Sequence, residues 1–349
     1  MDVLLMLFLT FCGGAFGAMI GGLASFVLCG VTLLLGMMLA MSGGQFDFIG
    51  SVAFGVVFGP HISFVGGVAA AAFAKKMGYL ESGKDISTGL LSLKNLNIIM
   101  VGGLFGTLGY LVNSGIASFA GNALDTVALT VFIMALLSKF LFDANLSLRG
   151  LFGTVSKETE NAGGRFSFHS EGVWLAFMKT PAEKVFVAIV AGGLSAYVTQ
   201  LLLQNPATES VAVLFGFGIS ATSLLFLQFG INIPVTHHIT LVSAYAVAAS
   251  GGNIYWGIVG AIIAAFLSDA LAKVFHVYGD SHVDPPAMGI MIGSFLFITI
   301  FPLAGISGET NVLPILIITI AIAYSIVQGL RNKEVKNLMK VPEAPKSVN

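Results

Sequence analysis

Apolar stretches of about 20 residues, the length an α-helix needs to cross the hydrocarbon of a bilayer, recur along the whole chain. Residues 3–59 hold two or three such segments, and further spans fall near 60–74, 98–118, 125–142, 184–204, 210–229, 231–250, 255–274, 286–304 and 313–330. Only 9% of the side chains are charged and 56% are hydrophobic, whereas a water-facing surface needs charge at about a quarter of its positions. A soluble fold is excluded, and the chain reads as an all-α integral membrane protein with the lipid bilayer as its first partner. A net charge of −1 leaves no basic stripe, so nucleic acid is not expected to bind. Cys12 and Cys29 both lie in the first apolar stretch and imply no disulfide framework. The start, Met-Asp-Val-Leu-Leu, has no basic region, and no cleaved signal peptide is expected.

Lysine and arginine placement orients the spans. The connections 75–97 (Lys75, Lys76, Lys84, Lys94) and 143–182 (Arg149, Lys157, Arg165, Lys179) are basic, as is the tail 331–349 (Arg331, Lys333, Lys336, Lys340, Lys346). The connections 205–209, 251–254 and 305–312 carry no Lys or Arg. About eleven spans, with the N-terminus outside and the C-terminus cytoplasmic in the cell (inner) membrane, put every loop on its expected side. Within the polar connector, Thr180-Pro181-Ala182-Glu183 reads as a capping box with proline at the first helical position. Trp174 and Phe177 suit either an interfacial segment or a solvated loop with a few anchors.

Four pairs of segments match in the same order along the chain. Gly21–Val27 resembles Gly192–Val198, His61–Val65 resembles His238–Val242, Tyr110–Asn113 resembles Phe266–Asp269, and Asp125–Ala128 resembles Asp284–Ala287. The charge pattern sends the span opened by Asp125 inward and the one opened by Asp284 outward, so the halves are read as inverted. The expected organisation is a first membrane repeat at 1–142, a cytoplasmic connecting segment at 143–182, a second, inverted repeat at 183–304, an additional helix at 305–330 and the basic tail at 331–349. Inverted repeats with broken helices are a signature of secondary transporters, whose site lies at the repeat interface.

Both histidine-bearing spans follow a break: Gly59-Pro60 before His61, and Asn232-Ile233-Pro234 before His237 and His238. Proline is tolerated in a first helical turn and not in an interior, so the helices are expected to restart at about Pro60 and Pro234. From His61 to Ala74 the helix is about 21 Å long against a hydrocarbon core of about 30 Å, which puts the break inside the membrane. Non-helical backbone at that depth must be buried in protein or line a cavity. Ionisable groups there point to function, so His61, His237, His238, Asn232, Thr236, Asp125 and Asp284 are the candidate substrate- or ion-binding residues. The structural alternatives are that the histidines bond neighbouring backbone and that the aspartates are N-caps. His237, His238, His282 and Asp284 together supply ligand types for a divalent metal ion, the candidate cofactor. Asp269 and Lys273 are spaced for an i, i+4 ion pair. Small residues at Gly66-Gly67 and Ser243-Ala244 would let backbones approach closely.

No phosphate-binding Gly-x-x-x-x-Gly-Lys-Ser/Thr loop and no His-Glu-x-x-His occurs. Gly305-Ile306-Ser307-Gly308 resembles a rhomboid-protease serine motif, but no histidine follows residue 282 to serve as its base. Phe58-Gly59-Pro60-His61 with its small-residue continuation, and Thr236-His237-His238-Ile239-Thr240, resemble segments of an uncharacterised group of bacterial multi-pass membrane proteins. The resemblance runs through most of both halves and implies a permease-like fold, with no substrate or catalytic residue attached. The expected function is secondary transport of a small polar solute or ion, coupled to H⁺ or Na⁺. A membrane-embedded metal-dependent enzyme and a structural subunit of a complex are the alternatives, and a homo-oligomer is a candidate assembly.

Overall fold

The computed structural model describes residues 2–168 and 172–338. It is all-helical, with no strand among the described residues. In chain order the main helices are α1 (Val3–Ile20), α2 (Gly22–Met41), α3 (Val65–Lys76, entered through a π-helical turn Pro60–Phe64), α4 (Leu96–Ala120), α5 (Thr126–Phe142), α6 (Pro181–Leu203), α7 (Glu209–Gln228), α8 (His237–Ala249), α9 (Ile254–Phe275), α10 (Pro285–Leu303) and α11 (Val312–Leu338). Among the described residues eight of them, all but α3, α5 and α8, are long and apolar enough to cross a membrane. The chain is a multi-pass membrane protein. Its first 59 residues form two long helices and a short π-helical stretch, Ile49–Ala53, which the buried Cys29 thiol holds through the Ala53 carbonyl at 3.1 Å.

Local rules set the helix starts. Thr180 and Glu183 form the reciprocal capping box at the head of α6, and Asp125 and Asp284 accept the backbone N–H of Ala128 and Ala287. Proline fixes the start of the Pro60–Phe64 turn, whereas α8 begins at His237 and not at Pro234.

One end of the bundle is tied together by basic side chains. The last turn of a helix leaves carbonyls unpaired and carries a partial negative charge. At the end of α9, Arg165 donates to the Lys273 and Val274 carbonyls, Lys139 to that of Phe275 and Lys84 to that of Val277. The segments 77–95, 143–168 and 276–283 therefore meet at this basic end, where Lys76 also reaches the Leu141 carbonyl. At the opposite end Asn253 donates to the Gly308 carbonyl and Gln200 to that of Gly252. The expected Asp269–Lys273 pair forms at 3.2 Å, and Lys184 joins it at 3.2 Å from the start of α6, making a buried Lys–Asp–Lys triad. The Phe168 ring lies about 5 Å from both ammonium groups, which softens the burial of two cations on one carboxylate.

The two short helices run in opposite directions. α3 leaves the interior and ends at the basic end, with Lys76 on Leu141; α8 also starts inside and finishes with Ser250 against Gly308 at the other end. Each is clasped by a neighbour along a seam of small residues. Any Cβ on Gly17 would run into the Ser63 carbonyl, and any Cβ on Gly109 into that of His61, so α1 and α4 sit backbone to backbone on α3. Ser195 and Ser243 make the corresponding seam between α6 and α8, bonding the Thr240 and Gly192 carbonyls at 2.8 Å. Gly21–Val27 opens α2, the second helix, while Gly192–Val198 lies within α6, the first long helix after the connector. α11 is peripheral, resting on α6 and α9 with only 11% of its span buried. The basic tail beyond Leu338 lies outside the described residues.

Three outcomes follow from this packing. Gly17→Val should lower the melting temperature in detergent by the equivalent of about 1–3 kcal/mol or prevent folding, because it overpacks against fixed backbone. Gly115→Ala, whose added methyl meets open space, should leave the melt within about 0.5 kcal/mol of the parent or raise it. Asp269→Ala strands two buried lysines and should cost about 3–5 kcal/mol in the same assay, with Lys184→Met added to it restoring part of the loss.

Candidate functional site

The two helix restarts face one cavity of about 280 Å³. Pro60 and Phe64 enter it from the α3 side and His237, Leu241 and Tyr245 from α8, while α5 and α10 form the opposite wall. These last two pass antiparallel: the Asp125 N–H donates to Ser294 at 2.9 Å, and Ala135 packs with Val283 and Met288. Because Ser294 lies ten residues after Asp284, the two N-capping aspartates stand about 15 Å apart along α10, one toward each end of the cavity. Asp125 accepts from the Tyr245 hydroxyl at 3.0 Å as well as from its own helix. Asp284 accepts from Ala287 and faces His282 Nε2 at 3.2 Å.

Between the two carboxylates the wall is aromatic. Phe26, Phe54, Phe64 and Phe217 line it, and the His237 ring packs on Phe26 and Phe217 with centroids 4.9 and 5.9 Å away. His237 is 4% exposed and its Nδ1 has no hydrogen-bond partner. A buried polar atom left unpaired costs on the order of 1–3 kcal/mol, so such an atom beside a cavity marks a place for a ligand or a water.

A second cavity of about 300 Å³ continues toward the basic end, lined by Lys84, Trp174, Val235 and His282. It shares Phe26, Phe64, His237 and Asp284 with the first, and these four residues form the neck between them. Burial holds the Lys84 ammonium below the ordinary lysine value, against the opposing pull of Asp280 and Asp143. His276, just beyond α9, is held well below the usual histidine value by burial and by its cationic neighbours, and its Nδ1 accepts the Val283 N–H at 3.3 Å. Trp174 is thus a wall residue packed on His238 at 5.8 Å.

The candidate residues separate. Asp125, His237 and Asp284 come together at the central cavity. His61, with an unpartnered Nδ1, faces a different cavity of about 320 Å³ beside Ser51 and Tyr110, divided from the central one by Phe54. His238 is wholly buried against Trp174 and His237, both ring nitrogens unpaired, outside the central lining. Thr236 bonds Ser220 at 3.1 Å, and Asn232 is exposed on the strap before α8. Among the described residues no three His, Cys, Asp or Glu side chains gather as a metal would require. The proposed set of His237, His238, His282 and Asp284 is corrected accordingly: it resolves into the His282–Asp284 pair and two imidazoles packed edge to face. Sequence reasoning missed Tyr245 and the phenylalanine walls. Tyr245 carried a readable signal, a hydroxyl in mid-span two turns beyond His238, whereas the wall rings are four among 29 phenylalanines.

No curated protein and no solved structure matches this chain. One family model does match, over residues 1–316, which takes in every helix from α1 to α10 and the start of α11; the chain belongs to that family, a family of unknown function (DUF7973).

Proposed function

We propose that the protein is a secondary transporter, a permease that moves a small solute through the central cavity by alternating access. The observation that carries this reading is that two helices restart inside the apolar bundle, run to opposite ends, and present their first turns to one cavity. Partial positive dipole ends then converge on a single place, the arrangement that broken helices give to transporter sites. We read α1–α5 and α6–α10 as inverted repeats. Supporting this are the matched N-caps Asp125 and Asp284, the antiparallel α5 and α10, and the equivalent seams of α1 on α3 and α6 on α8. With α11 the count is about eleven membrane helices, the short α3 and α8 included.

The meeting of the lysine- and arginine-bearing segments at one end favours that end as cytoplasmic. This leaves the N-terminus outside and the C-terminus inside the cell membrane. In this orientation the cavity lined by Lys84 and Trp174 is an inner vestibule, and the neck of Phe26, Phe64, His237 and Asp284 is the barrier between it and the site. The pair of aspartates, each bonded by a neighbouring hydroxyl or imidazole, is suited to carrying a coupling proton or Na⁺.

Purified protein in liposomes should accumulate solute from a metabolite mixture when a proton or sodium gradient is imposed, read by mass spectrometry of the vesicle contents. His237→Ala should lower uptake by about tenfold or more while shifting stability by no more than about 1–2 kcal/mol. His61→Ala, outside the central lining, should retain more uptake than His237→Ala. Absence of gradient-dependent uptake by folded protein would sink the reading.

A further inference from the structure

We propose that the central cavity takes a small monovalent organic cation, a protonated primary or secondary amine with an apolar body. This rests on the transport reading and names the substrate class for that site.

Among the described residues the ionisable groups lining the cavity are Asp125, Asp284, His237 and the Tyr245 phenol, with no lysine or arginine. An anion or a zwitterionic carboxylate would sit among carboxylates with no counter-charge, and unscreened like charges at low dielectric repel strongly. A bare metal ion does not fit either. The carboxylates stand at opposite ends of the cavity, no third ligand gathers with either, and the wall between them is phenylalanine, which offers no lone pair.

An ammonium group answers every feature at once. Its N–H groups are donors, and the acceptors without a full complement on this wall are the Asp284 carboxylate and the unpartnered His237 imidazole, which share the neck. Asp284 receives a single backbone N–H and the long contact from His282, so its oxygens keep lone pairs free. The rings of Phe26, Phe64 and Phe217 surround that position, and aromatic faces attract a cation while also covering an apolar body. Asp125 with Tyr245 at the far end supplies a second polar station.

The test is calorimetric titration of the full chain in lipid nanodiscs with matched probes: phenethylammonium, phenethyl alcohol and hydrocinnamate, and hexylammonium, hexanol and hexanoate. The ammonium members should bind, and the anions should not. Asp284→Asn should weaken ammonium binding by about tenfold or more without moving the melting temperature, since asparagine caps a helix about as well as aspartate. Phe217→Leu should weaken phenethylammonium more than hexylammonium. Failure of every ammonium probe to bind folded protein, binding of alcohol or carboxylate as tight as that of the amine, or unchanged affinity in Asp284→Asn would each overturn the proposal. Liposome flux separates this from the transport reading. Ammonium binding without flux keeps the ligand class and removes transport; gradient-driven flux of a neutral or anionic solute by protein that binds no ammonium keeps transport and removes the ligand class.

Discussion

A backbone that stops being helical inside a bilayer has no water to bond, and each orphaned N–H or C=O costs several kcal/mol. The two interruptions before α3 and α8 exist because the fold answers this constraint. The Gly59 carbonyl takes the N–H groups of Ile62 and Ser63 at 2.8 Å, and that of Gly55 takes the Gly59 N–H at 2.9 Å, so the first break is closed by its own tight turns. The second is held by Ile231 on Phe226 and Gly230 on Leu227. Around the first break the neighbouring helices cover what remains, which is why α1 and α4 meet it with glycine; the second strap stays exposed from Phe229 to Asn232. A larger side chain on the first seam would push the covering helix away and reopen that break.

Much of the plan was legible because it obeys short-range rules. The Thr180–Glu183 box, the Asp125 and Asp284 caps, the Asp269–Lys273 spacing and the proline-marked start of α3 all rest on residues within four positions of one another. What crossed long distances was not legible. Nothing local joins Lys184 to Asp269, Tyr245 to Asp125, or Arg165 to the end of α9, since each partner is chosen by packing. The same holds for the site: His61 and His238 occupy matching places in the two segments, yet the cavity receives His237, because a helix restart turns one of two adjacent imidazoles toward Phe26 and Phe217 and the other toward Trp174. The π-helical turn over Pro60–Phe64, which no propensity rule anticipates, changes the angular position of His61 relative to an ordinary α-turn.

The chamber and the basic end solve the same electrostatic problem in different ways. At the end of α9 cations are neutralised by carbonyls, a shared carboxylate and an aromatic ring, so Lys139, Lys184 and Lys273 are buried with their charge spoken for. In the chamber the carboxylates are met only by helix starts, a hydroxyl and an imidazole. Lysine and arginine side chains are therefore gathered at one end, and the carboxyl groups of the chamber have none among their described partners.

The terminal helix adds a dimension of its own. α11 is 27 residues long, about 40 Å at 1.5 Å per residue, against a hydrocarbon layer of about 30 Å. With so little of its surface buried and one hydrogen bond from Ser325 to the Pro181 carbonyl near its middle, neighbouring helices do little to fix its inclination. The surplus of about 10 Å is accommodated by tilt or by protrusion, and in the second case the chain leaves the membrane as a rigid rod. The helix end at Leu338 then stands at the height of the lipid headgroups or above them.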